Sequence, residues 1–165
     1  MDQDILYMKM AIDEAKKASD NVFPNPKVGC VIVQNGKIVS KGYHQKFGGP
    51  HAEAEALNNC DTQLKDATMY VTLEPCNHYG KTAPCTSLIE PEKFKRIVVA
   101  NRDPNPLINK GLQTLIDKGL RVDFNVCEDD AKFVNRRFFT FYEKKRPFVI
   151  LKFAATLDGF MSEIN

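Results

Sequence analysis

The dipeptide Asn35-Gly36 stands between two β-rich runs, residues 28–33 and 37–43, and constrains the fold of this chain more than any other short feature. Asn-Gly accepts the left-handed backbone of a two-residue hairpin turn, so the two runs are expected to pair antiparallel. Downstream the pattern changes to strands alternating with helices. Residues 51–59 are rich in alanine, glutamate and leucine and predict a helix with His51 in its first turn. Residues 68–73 predict a third strand, 86–90 a short helix beginning at Pro84-Cys85, and 96–100 a compact apolar strand. Leu112, Leu115 and Ile116 mark a helix ended by Gly119, 120–126 a fifth strand, and 129–142 a last helix carrying Phe133, Val134, Phe138 and Phe141. Ahead of the hairpin, Ile5, Met8, Ile12 and Ala15 recur at spacings of three and four and predict an amphipathic helix from Asp4 to about Ser19. One hairpin followed by alternating strands and helices implies an α/β fold in three α/β/α layers around a mixed, mostly parallel central sheet.

Two proline-locked segments, Phe23-Pro24-Asn25-Pro26 and Asp103-Pro104-Asn105-Pro106, forbid helix and are expected as rigid loops. A length of 165 residues with 43% hydrophobic residues suits one core. The formal charge of +2 is too near balance to predict a polyanion, so no nucleic-acid partner is expected. The acidic start is unlike an export leader, and no run approaches the roughly 20 apolar residues of a membrane span. Five cysteines, an odd number, favour reduced thiols and metal ligation over disulfides. A cytoplasmic protein without membrane contact is expected.

The chemistry is concentrated in His51-Ala52-Glu53, Glu74-Pro75-Cys76 and Pro84-Cys85. One histidine and two cysteines give zinc three protein ligands and leave the fourth tetrahedral place for water, whose pKa falls to about 7. His51, Cys76 and Cys85 are the expected ligands, with the metal between the starts of two helices, where unpaired amides favour a thiolate. Glu53 is expected as the general acid/base rather than a fourth ligand. This is the residue set of the zinc-dependent deaminases of nucleobases and related rings. Taken singly, a histidine before a helix is usually a cap, and cysteines nine apart are usually buried thiols. The combination, with a proline before each cysteine, argues for the metal. A structural zinc site with a fourth ligand from His44, His78 or Cys60 remains the competing arrangement.

Nucleobase deaminases space their cysteines as Pro-Cys-x-x-Cys, whereas here Asn77-His78-Tyr79-Gly80-Lys81-Thr82-Ala83-Pro84 lies between them. That insertion brings a histidine and a lysine beside the metal, suited to holding a phosphate. Gly80-Lys81-Thr82 is not the end of a P-loop, because Pro75 occupies the position of its first glycine.

These residues, with Pro24-Asn25-Pro26-Lys27-Val28-Gly29-Cys30, Val71-Thr72-Leu73 and Asp103-Pro104-Asn105-Pro106, resemble the deaminase domain of the bifunctional riboflavin-biosynthesis deaminase/reductase, over about residues 5 to 140. The resemblance implies a cytidine-deaminase-like fold and hydrolytic removal of an amino group from diaminohydroxyphosphoribosylaminopyrimidine, a phosphorylated pyrimidine. It also implies one zinc per chain on His51, Cys76 and Cys85, with Glu53 as proton carrier. Substrate contacts are implied at Asn25, His44, His78, Lys81, Asp103 and Asn105, with Lys81 facing the phosphate and a homo-oligomer possible. The bland alternatives are turn chemistry for Asn25 and Asn105 and a loop cap for Asp103.

Residues 1–143 are thus expected to form the deaminase domain. Residues 144–165 are expected as a linker and the first strand, over 148–154, of a cut-off reductase-like domain, with NADPH relevant only to a complete one. The resemblance weakens at residues 90–94 and 107–109. Competing functions are deamination of cytidine, deoxycytidylate or a tRNA base, and a non-catalytic zinc-binding module with Arg136, Arg137, Lys144, Lys145 and Arg146 as a docking patch. Such charges more often form a solvated helix face.

Overall fold

The computed structural model describes residues 2–106, 108, 110–157, 159 and 161. Helix α1 (Asp2–Lys16) leads into the hairpin β1 (Gly29–Gln34) and β2 (Lys37–Tyr43). Next come α2 (Ala52–Asn58), β3 (Ala67–Leu73), α3 (Cys85–Leu88), β4 (Phe94–Asn101), α4 (Gly111–Asp117), β5 (Arg121–Phe124), α5 (Glu128–Val134) and α6 (Arg136–Lys144). Asn35 and Gly36 turn the hairpin at φ of 53° and 73°, the positive values that a primed turn requires.

The sheet order is β2-β1-β3-β4-β5. Strand β1 is antiparallel to both β2 and β3, while β3, β4 and β5 pair in parallel. Hence β1 alone runs against the other four, and the sheet is mixed but mostly of one direction.

Alternate residues of each strand enter two separate cores, as the two-residue period of a strand requires. Cys30, Ile32, Met69, Val71, Ile97 and Val99 pack with Ala52 and Ala56 of α2 and Leu112 and Leu115 of α4. Val31, Val33, Tyr70, Val98 and Ala100 pack on the opposite face with Met8, Ala11 and Ile12 of α1 and Ala131 of α5. These are the three layers. Strand β3 is buried at every position, and each of its large apolar side chains contributes about 1.5–3 kcal/mol by leaving water. Its carboxyl end is therefore a rigid platform for the cysteine loop.

Three expectations are corrected. His51 caps α2 with extended backbone instead of lying in its first turn. The last helix is two, because the buried Asn135 breaks it by accepting from the Lys27 amide and donating to the Lys27 carbonyl, both at 2.8 Å. That break turns Phe139 inward and leaves Phe133 and Phe141 at 67% and 58% exposure. Residues 148–154 take no strand, since an extended segment needs a neighbouring edge for its hydrogen bonds and none of the described residues supplies one. Leu107, Asn109 and Asp158 lie outside the described residues.

Candidate metal centre and its cavity

The site forms where β3 and β4 end, at the carboxyl edge of the parallel strands, the position open α/β sheets use for ligands. Glu74-Pro75-Cys76 leaves β3 directly, and Asp103 comes two residues after β4. From the facing layer, His51 stands at the mouth of α2 with no side-chain capping bond, so its ring turns to the sulfurs. Its Nδ1 lies 3.5 Å from Cys76 Sγ and 3.3 Å from Cys85 Sγ.

Tetrahedral zinc holding nitrogen and sulfur at their usual bond lengths sets those atoms roughly 3.6 Å apart. The three donor atoms all lie within 4.8 Å of one another, so the set suits a zinc ion. Cys85 opens α3, and its backbone amide donates to Cys76 Sγ at 3.3 Å. Because α3 has only four residues, this local amide, more than a helix dipole, supplies the favourable field expected at the sulfur.

The thiols divide one proton. Cys76 is pushed down to about 4, first by the hydrogen bond from the Cys85 thiol and, against burial, by His51 and the Cys85 amide. Cys85 moves up for the complementary reason, its bond to Cys76 and then burial. The Cys76 hydrogen bond also raises His51. Glu53 is 3% exposed and pushed up to about 7, first by burial. It is not among the clustered donor atoms.

No described residue completes a four-ligand cage. His44 donates from Nδ1 to the Pro50 carbonyl at 2.8 Å, so its Nε2, 3.1 Å from Asn25 Nδ2, accepts. Burial lowers its pKa and keeps it neutral. Cys60 points to the Thr62 carbonyl, and His78 is exposed.

A cavity of about 360 Å³ opens over the triad, and Asn25, His44, Glu53, His78, Lys81, Asp103 and Asn105 all line it with His51 and Cys76. Asp103 is buried and raised to about 6, first by burial, although its carboxylate accepts from the Asn105 amide at 2.8 Å.

Sequence reasoning gave no site role to five residues that contribute here: Glu74, Gly111, Phe138, Tyr142 and Phe47. Glu74 accepts from the Asp103 amide at 3.1 Å and from the Leu112 amide at 3.0 Å, locking the loop after β4 and the start of α4 to the cysteine loop. Only its place before Pro75-Cys76 hinted at this. A Cβ on Gly111 would stand 1.8 Å from the Pro75 carbonyl, so α4 approaches this loop as closely as backbone allows. Phe138 and Tyr142 of α6 wall the cavity, with the Tyr142 hydroxyl accepting from Asn105 Nδ2 at 3.3 Å. In the sequence they sit in the aromatic run expected to form one unbroken last helix. Phe47 also lines the cavity, from the segment that leads into α2.

The sequence pattern of the cytidine and deoxycytidylate deaminase zinc-binding region matches residues 1–101. The chain is 50% identical to the riboflavin biosynthesis protein RibD of Aquifex aeolicus over 96% of its own length and 45% of that protein's. It therefore spans less than half of that relative. The solved structure of Acinetobacter baumannii RibD superimposes with a TM-score of 0.90 at 44% identity, over 95% of this chain and 44% of that one. The Thermotoga maritima diaminohydroxyphosphoribosylaminopyrimidine deaminase/5-amino-6-(5-phosphoribosylamino)uracil reductase gives a TM-score of 0.89 at 45% identity, over 94% of this chain and 46% of that one.

Proposed function

The chain belongs to the family of the cytidine and deoxycytidylate deaminase zinc-binding region, and from that premise we propose that it releases ammonia hydrolytically from diaminohydroxyphosphoribosylaminopyrimidine. The observation that carries this reading is one cavity lined by His51 and Cys76 of the His51, Cys76 and Cys85 donor set, by the buried Glu53, and by His78 and Lys81 of the long cysteine loop. The first two suit removal of an amine from a ring; the last two suit a phosphate on the same substrate.

His51, Cys76 and Cys85 would hold one zinc, which when bound supplies an acidified water. Glu53 carries one proton from the attacking water to the ring nitrogen and then a second, from the hydroxyl so formed, to the departing amine. The C–N bond breaks, ammonia leaves, and a carbonyl remains on the ring. A carboxyl raised to about 7 by burial can accept and return a proton at neutral pH, the property an acid/base shuttle needs. His44, neutral and fixed by Asn25 and Pro50, presents a defined edge to the ring. Asp103 and Asn105 would meet its polar substituents. Lys81 would meet the phosphate.

Residues 1–143 make the deaminase domain in this reading, and residues 144–165 lead into a reductase-like region that would take NADPH. The similarity to the Aquifex protein covers 96% of the chain and so runs past residue 144, in support of that division. No described helix is long and apolar enough to cross a membrane. All five cysteines are free, which suits the reducing cytoplasm. Ammonia release from the ribotide by zinc-loaded protein tests the function directly.

A further inference from the structure

We propose that Phe47 and Gly48 form a cradle that presents Lys81 to the substrate phosphate, making Phe47 a positioning residue for recognition of the phosphorylated substrate. The idea rests on the reading of Lys81 given above and extends it to a segment with no assigned role. Lys81 Nζ stands 4.0 Å from the centroid of the Phe47 ring, within the range of a cation–π contact. A Cβ built on Gly48 would sit 3.2 Å from Lys81 Cδ, at a backbone φ of +77°. The aliphatic stem thus lies along bare backbone while the ammonium rests on the aromatic face. The cradle itself is fixed, because the Phe47 amide donates to the Asn21 carbonyl at 2.9 Å and the Gly49 amide to the Lys46 carbonyl at 3.0 Å.

The type of contact suits a phosphate-binding lysine. None of the ion pairs among the described residues includes Lys81. A carboxylate partner would neutralise the ammonium and compete with an incoming anion. An aromatic face holds the cation through its quadrupole and leaves the net charge for the phosphate. Ordering the long lysine side chain before binding also removes part of the entropy that phosphate capture must otherwise overcome. Phe47 is 44% exposed, so its replacement spares the core.

The test compares KM and kcat of zinc-loaded wild type, Phe47→Ala, Phe47→Trp, Lys81→Ala and the Phe47→Ala/Lys81→Ala double variant, on the ribotide and on its dephosphorylated form. Phe47→Ala is expected to lower the preference for the ribotide about 2- to 5-fold through KM, as an exposed cation–π contact warrants. Phe47→Trp is expected to restore it. In the Lys81→Ala background the Phe47 substitution should have no further effect on that preference. If wild type turns over the ribotide and Phe47→Ala keeps the full preference, or lowers it equally without Lys81, the cradle is wrong and the proposed function stands. If wild type releases no ammonia from the ribotide, the function and the cradle fall together.

Discussion

The backbone amide of Cys85 donates to the sulfur of Cys76 across 3.3 Å, although the two residues stand nine positions apart. The Cys85 thiol, then His51 and this amide, make Cys76 the thiolate of the pair, the form that binds metal. Purified protein should therefore carry about one zinc per chain, and Cys76→Ser should carry little or none by elemental analysis. Full zinc retention in Cys76→Ser would remove Cys76 from the ligand set.

Lys81 lies on the exposed rim of the cavity. A charge-assisted hydrogen bond is worth about 1.5–3 kcal/mol, less where water screens it. Lys81→Ala should raise KM for the ribotide roughly tenfold and leave the dephosphorylated form unaffected. Steady-state kinetics on the two substrates checks this, and equal losses on both would assign Lys81 to folding of the loop instead.

Asp103 gives a pH dependence of stability whose sign is set by burial. Its folded pKa of about 6 lies above the unfolded value of 3.8. The native state therefore holds the proton more tightly, and stability falls as pH rises from about 4 through 6. A shift of that size corresponds to about 3 kcal/mol at most. Urea midpoints of Asp103→Asn relative to wild type should rise progressively across this window; a constant difference would contradict the burial effect.

Glu74 satisfies two buried amides, those of Asp103 and Leu112. Glu74→Ala leaves both without their partner and should cost about 3 kcal/mol in denaturant unfolding, given the usual penalty for unsatisfied buried groups. A loss below about 0.5 kcal/mol, the level of an ordinary surface change, would show that water replaces the carboxylate.

Much of this was legible in the sequence where the signal was local. Asn35-Gly36 specified its hairpin, and the period of Ile5, Met8 and Ile12 specified α1. The ligand candidates were legible because histidine, glutamate and proline-preceded cysteines at these spacings have few other uses together. Features made by distant contacts were not. The break at Asn135 depends on the backbone of Lys27, 108 positions away, and nothing near Asn135 announces it. Glu74 looked like motif spelling until the Asp103 and Leu112 amides converged on it. Tyr142 and Phe47 reach the cavity only because that break and the turn before α2 aim them there.

The central claim is that this cavity deaminates a phosphorylated pyrimidine with Glu53 as the proton carrier. The most direct measurement is ammonia release from diaminohydroxyphosphoribosylaminopyrimidine by zinc-loaded wild type and Glu53→Gln, with zinc content determined on the same samples. Wild type should turn over, and Glu53→Gln should show a kcat lower by about 10²–10⁴ at unchanged zinc. No ammonia from the wild type, or undiminished turnover in Glu53→Gln, would contradict it.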